Sequence, residues 1–263
     1  MVGERATLIV DAGNSPAHAN LLLAELARLK LPPPDYLVLT HWHWDHVFGI
    51  EAFEVPLFAH AETGRALEEM ATLDWSDAAL DLRVAEGSEI EFCRDMIKLE
   101  WPDRTHLRLR APDVTFVTGL EFNLGGVRCH VDHVGGDHAS DSCIVAVPDD
   151  GVIFLGDCLY EDLHHGPHNY TVEKLFPLID RILRHHADSY IFGHHQAPVP
   201  KTEMLEFTES LQLIGQLVEQ TGDNRAEILQ KLPAKIGATP NEEHLEIVEA
   251  FLAGLQKETP ERG

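Results

Sequence analysis

The chain predicts a layered α/β domain, and three features predict it. Apolar runs of strand length alternate with segments of helical periodicity over residues 6–59, the pattern then changes to closely spaced strands divided by turn signals, and the chain closes on a long helical stretch. Residues 6–11 (ATLIVD) read as a buried strand ending at Asp11-Ala12-Gly13, and 17–30 (AHANLLLAELARLK) as a helix stopped by Pro32-Pro33-Pro34. A second strand is expected at 36–40 (YLVLT), a helix at 47–53 (VFGIEAF) and a third strand at 55–59 (VPLFA).

Residues 62–100 are rich in charge and helix formers, so a helical insertion spanning 62–110 is expected, placed beside or over any site. Strands resume from 113 as VTFVTG, LEFNLGG, VRCHVDHV and SCIVAVPDDGVIFLGD, separated by Gly119, Gly125-Gly126 and a hairpin-type turn at Asp149-Asp150-Gly151. A helix at 171–186 and a strand at 189–192 follow. Residues 201–259 are helical, with breaks near Gly222 and Pro240. The expected organisation is a catalytic domain over 1–200 and a helical extension over 201–263, which either covers the sheet or mediates homodimerisation.

Bulk composition narrows the function. With 44% hydrophobic residues among 263, the chain has ample material for a core. The formal charge of -24, from 44 acidic and 20 basic residues, repels phosphate backbones, so a small-molecule substrate is expected rather than nucleic acid. No apolar run reaches the roughly 18 residues of a membrane span, and MVGERATLIVDAG carries no export signal. The four cysteines lack CxxC spacing and are expected to be reduced and buried, as in a cytoplasmic protein.

The chemistry lies in the histidines. His41-Trp42-His43-Trp44-Asp45-His46 sets four ligand-type side chains within six residues, directly after an apolar strand. Imidazole nitrogen and carboxylate oxygen suit zinc and other borderline divalent ions. Alternation puts His41 and His43 on one side of an extended segment, and Asp45 and His46 can turn toward a second ion. Three more such side chains come from strand ends: His138 in HVGGDHASDS, Asp157 closing VIFLGD, and His194 after YIF. His195 competes with His194, the Gly-His order favouring the latter. His133 reads as structural. His164, His165 and His168 form a loop that either borders the site or is solvated, and His60 has no partner argument.

An Asp after the first strand, HxHxDH, a later His, a later Asp and a final His occur in that order. On these motifs the chain resembles the metallo-β-lactamase superfamily over about residues 6–200. The resemblance implies a four-layered αββα sandwich with metals at one edge of the sheets. It implies that His41, His43 and His138 hold one ion, that Asp45, His46 and His194 hold a second, and that Asp157 bridges both. Asp11 would fix the loop through hydrogen bonds. Two divalent ions are expected, zinc first, with iron or manganese as alternatives. They would acidify a shared water for attack on the substrate, with Asp45 orienting it and relaying its proton. Tyr160, in Asp157-Cys158-Leu159-Tyr160, is similar to the Tyr of lactone-hydrolysing members that stabilises an oxyanion; packing under a loop is the other reading.

The turn at His138 departs from the family. Gly-Gly-Asp precedes the histidine and Ala-Ser-Asp-Ser follows it, where Thr-Pro-Gly is frequent, so the resemblance does not fix the substrate. The expected activity is hydrolysis of a small ester-like substrate: a lactone, carboxylic ester, thioester or phosphoester. The alternatives are an iron-dependent sulfur dioxygenase, against which two complete ligand sets weigh, and a β-lactam hydrolase, against which the missing export signal weighs.

Overall fold

The structure is a computed structural model describing residues 1–258, and the last residues of the expected 201–263 extension lie outside it. One sheet holds β1 (Leu8–Val10), β2 (Tyr36–Val38), β3 (Leu57–His60) and β4 (Val114–Phe116), all parallel and in chain order. Parallel neighbours need crossovers. α1 (Pro16–Arg28) supplies the first, starting where Ser15 accepts a hydrogen bond from the His18 amide and Pro16 presets the backbone, and ending before the proline triplet. The long connection from β3 to β4 carries α3 (Ala61–Met70), α4 (Asp77–Glu86) and α5 (Glu91–Glu100), within the expected insertion; residues 101–113 have no regular helix.

The second sheet is ordered β10-β9-β8-β7-β6-β5. Its strands are β5 (Gly119–Asn123), β6 (Arg128–His133), β7 (Cys143–Val147), β8 (Val152–Gly156), β9 (Ser189–Phe192) and β10 (Val199–Pro200). β7 and β8 pair antiparallel across the Asp149-Asp150-Gly151 turn, where Gly151 takes a left-handed φ of 63°. β8 and β9 run parallel, joined by α6 (Val172–Arg184). After β10 come α7 (Lys201–Thr221), α8 (Arg225–Ile236) and α9 (Glu242–Glu258).

Three apolar clusters define four layers. Leu8, Val38, Phe116, Phe122, Val131 and Val145 fill the space between the sheets. Leu37, Leu39, Phe48, Leu67, Leu80 and Ile97 join the first sheet to the helices on its outer face. Ile153, Leu155 and Tyr190 do the same for the second sheet against α6 to α9, through Leu178, Leu211, Leu232 and Phe251. The result is a helix–sheet–sheet–helix sandwich, and the described part of the C-terminal segment is packed on the core. No described helix is long and apolar enough to cross a membrane.

One expected element differs. The helix expected at 47–53 is instead α2 (Trp44–Val47) followed by a 3-10 turn, Ile50–Ala52. Gly49 breaks it: its amide bonds to the Gly13 carbonyl at 3.0 Å, and its Cα sits so close to the Ala12 carbonyl that a side chain would collide. α2 and its flanks are thereby pinned to the loop after β1, and this carries the histidine motif to the end of the sheet.

Candidate metal centre

Every ligand-type side chain singled out in the sequence comes to one end of the sandwich. Asp11 follows β1, His41 to His46 follow β2, His138 lies between β6 and β7, Asp157 follows β8, and His194 follows β9. Four of those positions are the C-terminal ends of strands that run parallel within their sheets.

Two ligand-type groups form there. His41, His43 and His138 make one, all buried; Asp45, His46, Asp157 and His194 make the other. One atom connects them. Asp157 Oδ2 lies 3.0 Å from His194 Nε2, 3.2 Å from His46 Nε2, 3.6 Å from His138 Nε2 and 4.0 Å from His41 Nε2. Asp45 Oδ2 lies 3.3 Å from His194 Nε2 and 3.7 Å from His46 Nε2.

The far side of the rings is tied down. The Thr40 hydroxyl donates to Asp11 Oδ2 at 2.8 Å, so it accepts from His41 Nδ1 at 3.0 Å. His46 Nδ1 donates to Asp11 Oδ2 at 2.8 Å, and His138 Nδ1 to the Glu161 carbonyl at 3.0 Å. This network occupies Nδ1 in each ring and turns Nε2 toward Asp157. Asp11 also accepts from the Thr40 amide at 2.7 Å, and it does this from a left-handed φ of 59°, which Asp tolerates better than most residues.

The electrostatics divide the two groups. Burial first, and neighbouring imidazoles next, hold His41 and His43 well below the ordinary imidazole value; burial lowers His138 too. Burial also opposes charge on His46, but Asp11 and Asp157 outweigh it and raise the ring well above that value. Hydrogen bonds to Asp157 and Asp45 raise His194 to about 10. Asp157 is buried, yet His194 and His46 hold it far below the carboxylate range. The carboxylates therefore make a place for positive charge between the rings.

Does the donor set fit a cation? His41 Nε2, His138 Nε2 and Asp157 Oδ1 are buried without a hydrogen-bond partner. Each such atom costs roughly 1–3 kcal/mol if left unpaired, and all three are of ligand type. The residues fit a divalent ion, with nitrogen and carboxylate donors suited to zinc, iron or manganese.

Neighbouring residues sort themselves by geometry. His195 stacks on Phe192 with ring centroids 4.5 Å apart and lies outside both groups. Cys158 is buried in the apolar cluster beneath α6, and all four cysteines are free and buried. His133 bonds to the Ser140 carbonyl. His164 lies beside His43, ring centroids 5.0 Å apart, and His168 lines the cavity above the centre, whereas His165 bonds to Asp162 at the surface. Trp42 packs edge-on against His43, and Trp44 against Phe48. The half-buried Tyr160 has its ring centroid 6.0 Å from those of His138 and His194.

Thr40, Gly193 and the Glu161 carbonyl escaped the sequence reading. Thr40 was legible as the hydroxyl residue abutting His41. A carbonyl, or a glycine needed for clearance, leaves no such signature.

The sequence model of the metallo-beta-lactamase superfamily matches residues 1–194. Solved structures share the fold at low identity. A metallo-beta-lactamase from Pontibacter korlensis is 23% identical, with a TM-score of 0.51 over 78% of this chain and 81% of that one. A metallo-beta-lactamase family protein from Thermus thermophilus is 20% identical, with a TM-score of 0.54 over 95% of this chain and 86% of that one. An archaeal superfamily protein from Sulfolobus tokodaii is 19% identical, with a TM-score of 0.51 over 98% of this chain and 91% of that one. No curated protein matches the chain.

Proposed function

The chain belongs to the metallo-beta-lactamase superfamily, and from that premise we propose that it is a hydrolase that uses two divalent ions, zinc first among them, to cleave a small ester-like substrate. The bond would be that of a lactone, carboxylic ester, thioester or phosphoester. The observation that supports this reading is the position of Asp157 Oδ2, within 4.0 Å of Nε2 of four imidazoles from two ligand groups. A carboxylate so placed suits a bridge between two ions.

His41, His43 and His138 would hold one ion and Asp45, His46 and His194 the other, with Asp157 shared. Bound there, divalent ions supply Lewis acidity toward the scissile group and toward water. Asp11, through Thr40, His41 and His46, orients the rings. Asp45, carrying a carboxylate at the open side of the second group, takes the proton from the attacking water and returns it to the leaving oxygen or sulfur. Burial and the charge of Asp157 push the Tyr160 phenol up to about 12, so it stays protonated and can donate to an oxyanion.

The test is protein purified without added metal, assayed for metal content and against lactones, thioesters, phosphodiesters, sulfate esters and β-lactams. Two zinc ions per chain and chelator-sensitive hydrolysis are expected. Full turnover after exhaustive chelation would refute the proposal. A single iron with oxygen-dependent thiol oxidation would favour the dioxygenase alternative.

A further inference from the structure

A cavity of ≈ 840 Å³ opens over the candidate centre and contains Asp45, His46, His138, Asp157 and His194. α5 forms part of its wall, in a way the core does not require. Cys93 and Ile97 face inward and are buried, so they dock the helix on the first sheet. Phe92, Met96 and Leu99, at i, i+4 and i+7, form a second apolar stripe that lines the cavity. Phe92 is 65% exposed and Leu99 74%. Leu22 of α1 extends this wall. An exposed apolar stripe on a helix already anchored by its other face calls for an occupant.

The charge in the cavity restricts that occupant. No lysine or arginine is among the described residues lining it; Asp11, Asp45 and Asp157 are paired with His46 and His194, and the acidic side chains outside the ligand network are Glu100 and Glu161. Where the tail lies along α5, away from the ligand groups, a phosphate, sulfate or free carboxylate would meet Glu100 with no lysine or arginine to offset it.

We propose that the substrate is an uncharged carboxylic ester, thioester or lactone whose acyl part carries an apolar chain, and that Phe92, Met96, Leu99 and Leu22 bind this chain. This rests on the hydrolase reading above and narrows it. Water adds across the acyl–oxygen or acyl–sulfur bond, giving the apolar acid and an alcohol or thiol, which for a lactone are the two ends of one hydroxy acid. The continuity of the stripe with the ligand groups in one cavity favours a small molecule over a protein partner on this face.

The test uses the metal-loaded full chain with p-nitrophenyl acetate, butyrate, hexanoate and octanoate, and with the hemiglutarate as the charged counterpart. Burial of each methylene should raise kcat/KM about fourfold, and the hemiglutarate should fall at least about tenfold below the butyrate. Phe92→Ser with Leu99→Ser, both exposed positions, should flatten the chain-length slope. A second readout needs no catalysis: fluorescence of neutral N-phenyl-1-naphthylamine should report binding to metal-stripped protein, be displaced by octanol and be lost in the variant.

Chelator-sensitive cleavage of the acetate with no chain-length slope and no probe binding would overturn this assignment and leave the hydrolase reading standing. Probe binding with no cleavage of these esters would overturn the substrate assignment, and no cleavage of any substrate in the wider panel above would overturn the hydrolase reading as well. A dimer that the double variant abolishes, with no probe binding, would give the stripe to self-association instead.

Discussion

The imidazole of His60 lies flat on that of His133, with ring centroids 4.0 Å apart and planes 5° from parallel. His60 ends β3 and His133 ends β6, so this stack joins the two sheets. The outer nitrogens are occupied: His60 Nε2 bonds to the Val117 carbonyl at 2.9 Å and His133 Nε2 to the Ser140 carbonyl at 2.8 Å. Burial, then the neighbouring His133, keeps the His60 imidazole below its ordinary value.

A pH dependence of stability follows. Because the unfolded chain takes up a proton on His60 more readily than the folded one, the contribution is present above the ordinary imidazole pKa of about 6.5 and is lost as pH falls below it. Thermal melts should show Tm falling from about pH 7.5 to about pH 5.5, with a shallower fall for His60→Gln. Identical slopes would remove the stack from the account.

Asp157→Asn should cost metal and activity together. The substitution preserves shape but removes the charge that faces four imidazoles. The loss of metal affinity should exceed the roughly 10–100-fold typical of partners one step removed from a ligand. Elemental analysis beside turnover checks it, and a fully metallated, fully active variant would count against the bridging assignment.

Gly193→Ala should damage the centre without adding a polar atom. A Cβ there would collide with Asp157 Oδ1 and come within 3.1 Å of His46 Cε1. Metal content should fall at least about tenfold, in the range seen when support for a ligand is lost, while the circular dichroism spectrum stays native. Undiminished metal content would mean that Asp157 has room to move.

Asp11→Asn removes the charge and one acceptor oxygen while keeping the backbone, since Asn tolerates the left-handed φ of 59° that Ala would resist. It weakens the support that Asp11 gives directly to His46 and, through Thr40, to His41. Affinity for metal should fall by roughly 10–100-fold, more at the group containing His46 than at the one containing His41. Equal affinities in competition titrations with a chromophoric chelator would contradict this.

Much of this was legible in the sequence because strand ends announce themselves. A polar ligand immediately after an apolar run, as with Asp157 after VIFLG, marks both the end of the strand and the side chain at its mouth. The stack of His60 on His133 was not legible, for the partners lie on different sheets and no local pattern relates them. Nor was the break at Gly49: VFGIEAF has a helical look, and only the approach of the Ala12 and Gly13 carbonyls stops it. The α5 stripe was visible as spacing in EFCRDMIKLE, but only the fold shows which apolar face is used by the core.

The centre draws Asp11 and residues 41–46 from the first sheet, and His138, Asp157 and His194 from the second. Any ion gripped there works as a clasp across the sandwich. Loading should then harden the molecule as a whole by an amount that grows with the logarithm of free metal, and stripping should loosen first the seam where the two halves meet.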